Sequence, residues 1–284
     1  MKSVIINADD FGRSGAVNHG IIKGHADGIL TSTTLLVNGP ASDEAADLAK
    51  AHPQLGVGVH LNILQGQPVS EASTVPSLVN KQGTFPGNAG TVLIRLVFGL
   101  IRREDLDREI HAQITRFKEI IGSPTHIDSE KHLYAFGSFA AAAIQAAADF
   151  GIPAMRCPVE RARSEHSTIS QRLKSALLNL AARNMRTRAV QSGLRVPDAF
   201  IGVRDTGQMT AARYADIFRN IDDGLTEIMC HPGLPTTEEE PAFTSGFLSG
   251  KREIELEGLL AAELPAIARD NDIQLIHFGQ LKES

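Results

Sequence analysis

The sequence predicts an α/β fold, a distorted TIM-like (β/α) barrel of seven or eight mostly parallel strands. Short apolar runs end in polar or glycine-bearing turns, and longer segments of helical period separate these runs. This alternation is typical of βα units that build a parallel sheet. A doubly wound open sheet would give nearly the same pattern, and it stays open as the alternative fold.

The apolar runs are the predicted strands, and the periodic segments between them are the predicted helices. The strands are expected at residues 3–7, 34–38, 56–63, 124–128, 153–156, 199–203, 225–230 and 273–278. The clearest helices are expected at 41–51, 106–121, 138–150, 211–221 and 253–269. Two long stretches, 65–90 and 161–197, interrupt the alternation, and stretches of this kind are usually functional or mobile. We expect one domain spanning residues 1–284.

The composition excludes several functional classes. Of the 284 residues 42% are hydrophobic, and 33 acidic against 28 basic residues give a net charge of −5, which provides no general attraction to nucleic acid. Cys157 and Cys230 are far apart and form no CxxC pair, so neither a disulfide framework nor a structural zinc site is indicated. No signal peptide and no apolar stretch of about 20 residues is visible. We expect a cytoplasmic protein without a transmembrane segment.

Side chains capable of chemistry collect where the predicted strands end. The carboxyl ends of parallel strands meet at one face of the sheet, and functional groups gather there. We therefore expect one mouth to be lined by candidates from five strand ends. These candidates are Asp9, Asp10, His60, Asn62, His126, Asp128, Glu130, His132, Arg156 and His231.

The first acidic pair and the histidine after the third strand suit a metal site. Side chains of adjacent strand residues diverge, so one carboxylate of Asp9 and Asp10 could bind a cation while the other acts on a water. An isolated acidic pair more often caps a helix or faces solvent. His60 follows an apolar run, and a bond to a backbone carbonyl is its simplest explanation. Its position at a strand end favours a ligand role.

The later strand ends add a cluster and a proton donor. A period of two puts His126, Asp128 and Glu130 on one face, where each could bind a metal or orient a ligand. His231 stands before Pro232 and Gly233 at a sharp exit, and an imidazole donates protons near neutral pH. Arg156 could orient a carboxylate such as Asp9, although a surface salt bridge is the more common fate of an arginine.

These segments resemble the successive motifs of the YdjC-like family in order and spacing. The matching segments are Asn7-Ala8-Asp9-Asp10-Phe11-Gly12, Thr31-Ser32-Thr33-Thr34, Val59-His60-Leu61-Asn62, Thr125-His126-Ile127-Asp128-Ser129, Arg156-Cys157-Pro158-Val159-Glu160 and Glu227-Ile228-Met229-Cys230-His231-Pro232-Gly233. Family members include chitooligosaccharide deacetylases and a branch associated with hopanoid biosynthesis, which segments 64–69 and 76–79 resemble.

The resemblance implies metal-dependent hydrolysis of the acetamide of an N-acetylated sugar, with release of acetate. It implies that Asp10, His60 and His126 bind the metal, that Asp9 is the catalytic base and that His231 is the general acid. Residues expected to bind or orient the substrate are Arg156, Asp128, His132 and Asn62.

The fourth motif departs from the family's pattern. The family commonly shows further histidines after His-x-Asp-x, whereas this chain has Glu130 and keeps His132. If the ligating position is the later one, Glu130 binds the metal in place of His126 and favours a harder cation. One divalent cation is expected, Mg²⁺ by the resemblance and Zn²⁺, Mn²⁺ or Co²⁺ by ligand softness.

The expected substrate is a short N-acetyl sugar or a sugar-bearing small molecule or lipid, because stacking aromatics are scarce at 5% of residues. The segment 161–195 carries eight basic residues on a weakly amphipathic pattern around Leu173, Leu177 and Leu180. A solvated helix is its simpler interpretation, and peripheral docking at the inner membrane is the alternative. A homo-oligomer is compatible with the sequence. The rival functions are another metal-dependent barrel enzyme, a phosphohydrolase or isomerase, and a non-catalytic sugar-binding barrel.

Overall fold

The computed structural model describes residues 1–160, 169–235 and 249–281. Within these ranges strands alternate with helices. The strands are β1 (Lys2–Phe11), β2 (Ser32–Leu35), β3 (Gly56–Leu61), β4 (Ile127–Ser129), β5 (Ala199–Ile201), β6 (Gly224–Cys230) and β7 (Ile273–Leu275). The helices are α1 (Gly15–Ala26), α2 (Ser42–Ala51), α3 (Ala89–Val97), α4 (Arg103–Ile120), α5 (Gly137–Asp149), α6 (Ile169–Gln191), α7 (Ala211–Asn220), α8 (Ser249–Leu259) and α9 (Leu264–Asp270).

The strands of the described chain pair in parallel in one sheet. Their order is β4-β3-β2-β1-β6-β5, and β7 pairs with the first residues of β1. β1 lies in the middle, where Asn7 is in register with Ser32 on one side and with Met229 on the other. Both edges of β1 are therefore paired. Every residue from Val4 to Phe11 is also buried, so both faces of the strand are covered, which is why its sequence is a nearly continuous apolar run before the acidic pair.

Isolated parallel bridges join the two edges of this sheet. Ile127 of β4 bridges Met155, and Ala154 bridges Arg195. Glu160 bridges Phe200 of β5, which is the other edge strand. The sheet therefore curls round on itself, and the predicted distorted (β/α) barrel is confirmed. The fifth predicted strand, 153–156, is present only as these bridges.

Amphipathic helices cover the outside of the sheet. In α4 the buried side chains of Leu106, Ile110, Ile114 and Phe117 recur at the spacing of one helix face, and this face contacts β3 and α5. Complete burial of one such side chain contributes about 1.5–3 kcal/mol. The hydroxyl of Ser14 caps α1 by accepting a hydrogen bond from the backbone N–H of Val17.

Several predicted elements have different bounds in the structure. The predicted helix at 253–269 is two helices, α8 and α9, because Pro265 stands in the first turn of α9 and cannot continue a preceding helix. α1 was not predicted because its buried positions include Asn18, Gly20 and Gly24, which give no apolar period. The weakly amphipathic helix expected in the basic segment is α6, whereas residues 161–168 of that segment lie outside the described ranges.

No helix in the described parts of the chain is both long and apolar enough to cross a membrane.

Gly58 provides a test of the packing inside the barrel. A Cβ atom at this position would collide with Nδ1 of His126 and lie 2.7 Å from its carbonyl oxygen. Gly58→Ala should therefore lower the free energy of unfolding by about 1–3 kcal/mol, the usual cost of overpacking, which thermal unfolding followed by circular dichroism would detect. Gly250→Ala is the control, because a Cβ there meets nothing within 4 Å. An unchanged melting temperature for Gly58→Ala would contradict the described position of His126.

Candidate active site

A cavity of about 360 Å³ opens where β1, β3 and β6 end, beside a 3₁₀ helix over Glu130–Ala135. Six of the ten predicted site residues meet in its wall, as the strand-end rule leads one to expect. The lining residues are Asp9, Asp10, His60, Glu130, Lys131, His132, Leu178, Val203, Thr206, Met229 and His231.

Unusual backbone conformations orient three of these lining residues. The pairing of β1 with β2 is irregular between Ala8 and Phe11, and Asp10 within this bulge has a φ of 73°. Lys131 and His132 have φ values of 52° and 55°. In the described ranges the only other non-glycine residue with positive φ is Asp272. Such conformations cost roughly 1–3 kcal/mol each, so their concentration marks this cavity as the candidate functional site.

His60 is held by a carboxylate behind it. Its Nδ1 lies 2.7 Å from Oδ1 of Asp128, and the hydroxyl of Thr34 donates to Oδ2 of Asp128 at 3.2 Å. Because an ionised carboxylate only accepts, Nδ1 carries the proton and Nε2 is the ring nitrogen left for a ligand. Burial lowers the pKa of His60, but Asp128 outweighs burial and raises this pKa to about 9. Nε2 therefore also holds a proton near neutral pH, and a bound cation would displace this proton. Metal-binding imidazoles are commonly oriented by such a carboxylate.

Arg156 is fully buried and binds three carboxylates. Nη1 and Nη2 donate to the two oxygens of Asp9 at 2.7 and 2.6 Å, and Nε donates to Oε1 of Glu227 at 2.7 Å. Nη1 also lies 2.7 Å from Oδ2 of Asp128. Burial raises the pKa of Asp9, but the charge and hydrogen bonds of Arg156 outweigh burial and hold this pKa well below its usual range. Asp9 is therefore ionised and fixed in orientation.

Glu130 is a buried carboxylate that is only partly satisfied. Its Oε1 accepts a hydrogen bond from Nε2 of Gln65, whereas its Oε2 has no hydrogen-bond partner among the described residues. Burial, together with the nearby charge of Asp10, raises the pKa of Glu130 to about 6. A bound cation would satisfy the buried Oε2 of Glu130 and would favour the ionised form of this carboxylate.

His132 is also buried, and burial lowers its pKa to about 3.

Two residues of α8, which the sequence analysis did not single out, also reach the site. Arg252 donates to Oδ2 of Asp10, and Nη1 of Arg13 lies 3.8 Å from Oδ1. Burial raises the pKa of Asp10, but Arg252 and Arg13 outweigh burial and hold this pKa well below its usual range. Glu255 is fully buried, accepts a hydrogen bond from the backbone N–H of His231, and has Oε2 3.8 Å from Nδ1 of His231. The sequence gives little indication that Arg252 and Glu255 belong to the site, because charged residues three apart are common on a helix surface.

His126 is not brought to this cavity. Its ring stacks on Phe278 with centroids 3.7 Å apart, and burial holds its pKa well below the usual range. The period of two that placed His126 beside Glu130 fails because β4 ends at Ser129, where the 3₁₀ helix begins. His126 therefore does not line the cavity wall that Asp10 and His60 share, and its buried Nε2 has no hydrogen-bond partner among the described residues.

Asn62 organises the loop after β3 and does not line the cavity. Its Nδ2 donates to Oδ1 of Asn38 at 3.2 Å and to the carbonyl of Gln65 at 2.9 Å. Its Oδ1 accepts from the backbone N–H of Leu64 at 2.7 Å. Asn62 therefore holds in place the segment that carries Gln65 toward Glu130.

Two overlapping groups of residues could hold a cation. Asp9, His60 and Asp128 have ligand atoms within 4.8 Å of one another, and this buried group could bind a metal ion. Arg156 already neutralises the two carboxylates of this group. Its Nη2 lies 2.6 Å from Oδ1 of Asp9, and its Nη1 lies 2.7 Å from Oδ2 of Asp128. Asp10, His60 and Glu130 line the open cavity and include the partnerless Oε2 of Glu130. Among the described residues only the first group has all its ligand atoms within 4.8 Å of one another. The second group is open to the cavity, and its two carboxylates would favour a hard cation.

Comparison with known proteins gives the family. The model of the YdjC-like protein family matches residues 3–270. The chain belongs to the YdjC-like family. Among its relatives, the carbohydrate deacetylase of Geobacillus stearothermophilus is 34% identical over 97% of this chain and 96% of its own length. The carbohydrate deacetylase of Mus musculus is 32% identical over 98% of this chain and 94% of its own.

A solved structure agrees with this placement. A provisionally named cellobiose-phosphate cleavage protein from Enterococcus faecalis superimposes with a TM-score of 0.80 at 26% identity, covering 99% of each chain. The predicted membership of the YdjC-like family is confirmed, and so is the predicted class, hydrolases that act on carbon–nitrogen bonds other than peptide bonds. The resemblance to the hopanoid-associated branch stays a prediction.

Glu227 makes the stability of this site depend on pH. Burial raises its pKa from 4.5 to about 7, more than the contact with Arg156 lowers it. The folded state therefore binds more protons than the unfolded state between these pH values, so the free energy of unfolding falls as the pH rises through this window.

Glu227→Gln cannot titrate, so it should lose less stability than the wild type between pH 4.5 and 7, with a difference of roughly 1–3 kcal/mol. Urea unfolding at several pH values measures this difference. Glu119→Gln, at an exposed position of α4, is the control and should follow the wild type. Parallel pH dependences for Glu227→Gln and the wild type would show that Glu227 is already ionised at low pH.

Proposed function

We propose that this YdjC-like protein is a metal-dependent deacetylase that hydrolyses the acetamide of an N-acetylated sugar and releases acetate. The observation that carries this proposal is the convergence in one cavity of an ionised carboxylate, Asp9, with three candidate metal ligands, Asp10, His60 and Glu130. The names of the relatives, carbohydrate deacetylases, support the sugar and the acetyl group.

In this proposal Asp10, His60 and Glu130 hold the cation. His60 offers Nε2, Glu130 offers the partnerless Oε2, and Asp10 offers Oδ1 because Arg252 binds its Oδ2. Glu130 replaces His126 as the third ligand because it lines the cavity. A divalent cation bound there would polarise the acetamide carbonyl and lower the pKa of a bound water. One imidazole and two carboxylates favour Mg²⁺ or Mn²⁺ over Zn²⁺.

Asp9 is proposed as the base that accepts the proton of the attacking water. Arg156 orients the carboxylate of Asp9 through both of its oxygens and keeps it ionised. The lowered pKa also makes Asp9 a weak base. A weak base needs an acidic proton donor. In this proposal the bound cation would therefore have to lower the pKa of the attacking water.

His231 is proposed as the general acid that protonates the leaving amine. It lines the cavity, and the fully buried Glu255 holds its backbone and lies 3.8 Å from its Nδ1. Glu255 thereby holds His231 in position in the cavity wall.

A phosphohydrolase is the second candidate function. The guanidinium groups of Arg13 and Arg252 stand beside Asp10, and guanidinium groups are the usual protein partners of phosphate. The name of the Enterococcus faecalis relative also mentions a sugar phosphate. An isomerase has no such support, and a non-catalytic barrel would leave the fixed orientation of Asp9 unexplained. The glycolipid substrate, the homo-oligomer, the one-domain organisation and the cytoplasmic or membrane-peripheral location remain predictions.

Asp9→Asn tests the proposed function. The variant should keep its bound metal, because Asp9 is not a proposed ligand, and its kcat for acetate release from N-acetylglucosamine oligomers should fall by about 10²–10⁴. Elemental analysis measures the metal, and an acetate assay with excess Mn²⁺ measures turnover. Glu130→Ala is the comparison variant and should lose the metal.

The outcomes separate the candidate functions. Full acetate release by Asp9→Asn would remove Asp9 from the mechanism. Release of phosphate from phosphosugars without any release of acetate would favour the second candidate. A melting temperature for Asp9→Asn close to that of the wild type shows that the lost activity does not come from unfolding.

A further inference from the structure

Of the two carboxylates proposed to bind the metal, Glu130 is the one without a cationic partner in the described chain. Arg252 donates to Oδ2 of Asp10, and Nη1 of Arg13 lies 3.8 Å from Oδ1 of Asp10. Glu130 forms no ion pair with a described residue. Its one hydrogen-bond donor in the described ranges is Nε2 of Gln65, an uncharged amide. The negative charge of Glu130 is therefore available to a cation.

The hydrogen bond from Gln65 determines which oxygen of Glu130 is free. Nε2 of Gln65 donates to Oε1, whereas Oε2 is buried and has no hydrogen-bond partner among the described residues. Gln65 is only 5% exposed, so water cannot easily take the place of its amide. A buried oxygen without a partner is costly, and a bound cation would satisfy it. Gln65 therefore occupies one oxygen of Glu130 and leaves the other for the metal.

The backbone of Gln65 is itself held in place by Asn62. Oδ1 of Asn62 accepts from the backbone N–H of Gln65 at 3.2 Å, and its Nδ2 donates to the carbonyl of Gln65 at 2.9 Å. Gln113 of α4 holds the backbone of Asn62 in the same way. Its Oε1 accepts from the N–H of Asn62 at 3.0 Å, and its Nε2 donates to the carbonyl at 2.7 Å. The amide of Gln65 therefore extends from a fixed backbone, as an orienting contact requires.

The neutrality of this donor distinguishes Glu130 from the other carboxylates of the cavity. A buried amide that merely satisfies a buried polar group is the simpler interpretation of Gln65. At Asp9 and Asp10, however, the hydrogen-bond donor is a guanidinium, from Arg156 and Arg252 respectively. A guanidinium orients a carboxylate and also cancels its charge, whereas an amide orients it and leaves the charge in place. A neutral donor is therefore the kind that suits a metal ligand.

We propose that Gln65 is a positioning residue of the metal site, whose amide holds Oε1 of Glu130 so that Oε2 is left to bind the cation. The inference rests on the proposed function, in which Asp10, His60 and Glu130 bind the metal, and adds to it the residue that orients the third ligand. Residues that orient metal ligands typically contribute about 10- to 100-fold to metal affinity.

The test measures the affinity of the chelator-treated protein for Mn²⁺ by isothermal titration calorimetry. Gln65→Met keeps the length of the side chain but removes the amide, so the Kd for Mn²⁺ should rise by about 10- to 100-fold. Gln65→Asn keeps an amide on a shorter side chain that no longer reaches Glu130, and it should weaken binding as well. Gln67→Met is the matched control and should bind Mn²⁺ as the wild type does. Gln67 is exposed, and its side chain makes no hydrogen bond to a described residue.

The dependence of turnover on Mn²⁺ separates positioning from a loss of structure. In Gln65→Met the Mn²⁺ concentration that gives half-maximal acetate release should rise, while kcat at saturating Mn²⁺ should stay close to the wild-type value, because excess metal fills a weaker site. A variant that is merely misfolded would instead lose kcat at every metal concentration, and this result would contradict the positioning role.

The results distinguish this inference from the function on which it rests. Wild-type affinity for Mn²⁺ in Gln65→Met overturns the inference alone, and it is the result expected of an ion bound between Asp9, His60 and Asp128. An equal loss of affinity in Gln67→Met overturns it as well, because it shows a general effect on the loop. No binding of Mn²⁺, Mg²⁺ or Zn²⁺ by the wild type, together with no release of acetate, overturns the proposed function and this inference together.

Discussion

The buried guanidinium of Arg156 holds together three carboxylates that would otherwise repel one another. Asp9 lies on β1, Asp128 on β4 and Glu227 on β6. The guanidinium nitrogens lie 2.6 to 2.7 Å from the oxygens of these three carboxylates. Burying like charges without a cation would force them to take up protons. Arg156 thus keeps Asp9 ionised, and through Asp128 it supports the carboxylate that orients His60. Asp9, the proposed base, and the imidazole of His60 are both positioned by Arg156, which does not line the cavity.

The parallel sheet explains how residues far apart in the chain reach this arrangement. His60 and Asp128 are in register on β3 and β4, so their hydrogen bond follows from strand pairing. The bulge in β1 then turns Asp10 into the left-handed region, which separates its role from that of its neighbour Asp9. Strand register and local strain together produce the two different environments of adjacent carboxylates.

The sequence predicted the barrel and most of the cavity because both follow from simple periodicities. Apolar runs mark buried strands, and polar residues after them mark the functional face, which is why Asp9, Asp10, His60 and His231 were placed together. The prediction that His126 and Glu130 share one face required the strand to continue beyond Ser129. The residue pattern does not indicate the left-handed turn at Lys131 and His132. Arg252 and Glu255 could not be predicted as site residues, because they lie on a helix, where charged residues are common, and reach the site only through tertiary contacts. The contacts of Arg156 with three carboxylates depend on the tertiary structure and cannot be predicted from the spacing of residues in the sequence.

The identity of the third metal ligand is the most direct test of this account. A crystal structure of the protein grown with Mn²⁺, with the ion located by its anomalous scattering, would show which side chains surround it. We expect an ion bound by Asp10, Nε2 of His60 and Glu130, with Asp9 unligated beside it and still paired with Arg156. An ion coordinated by His126, or one seated between Asp9 and Asp128 with Arg156 displaced, would contradict it.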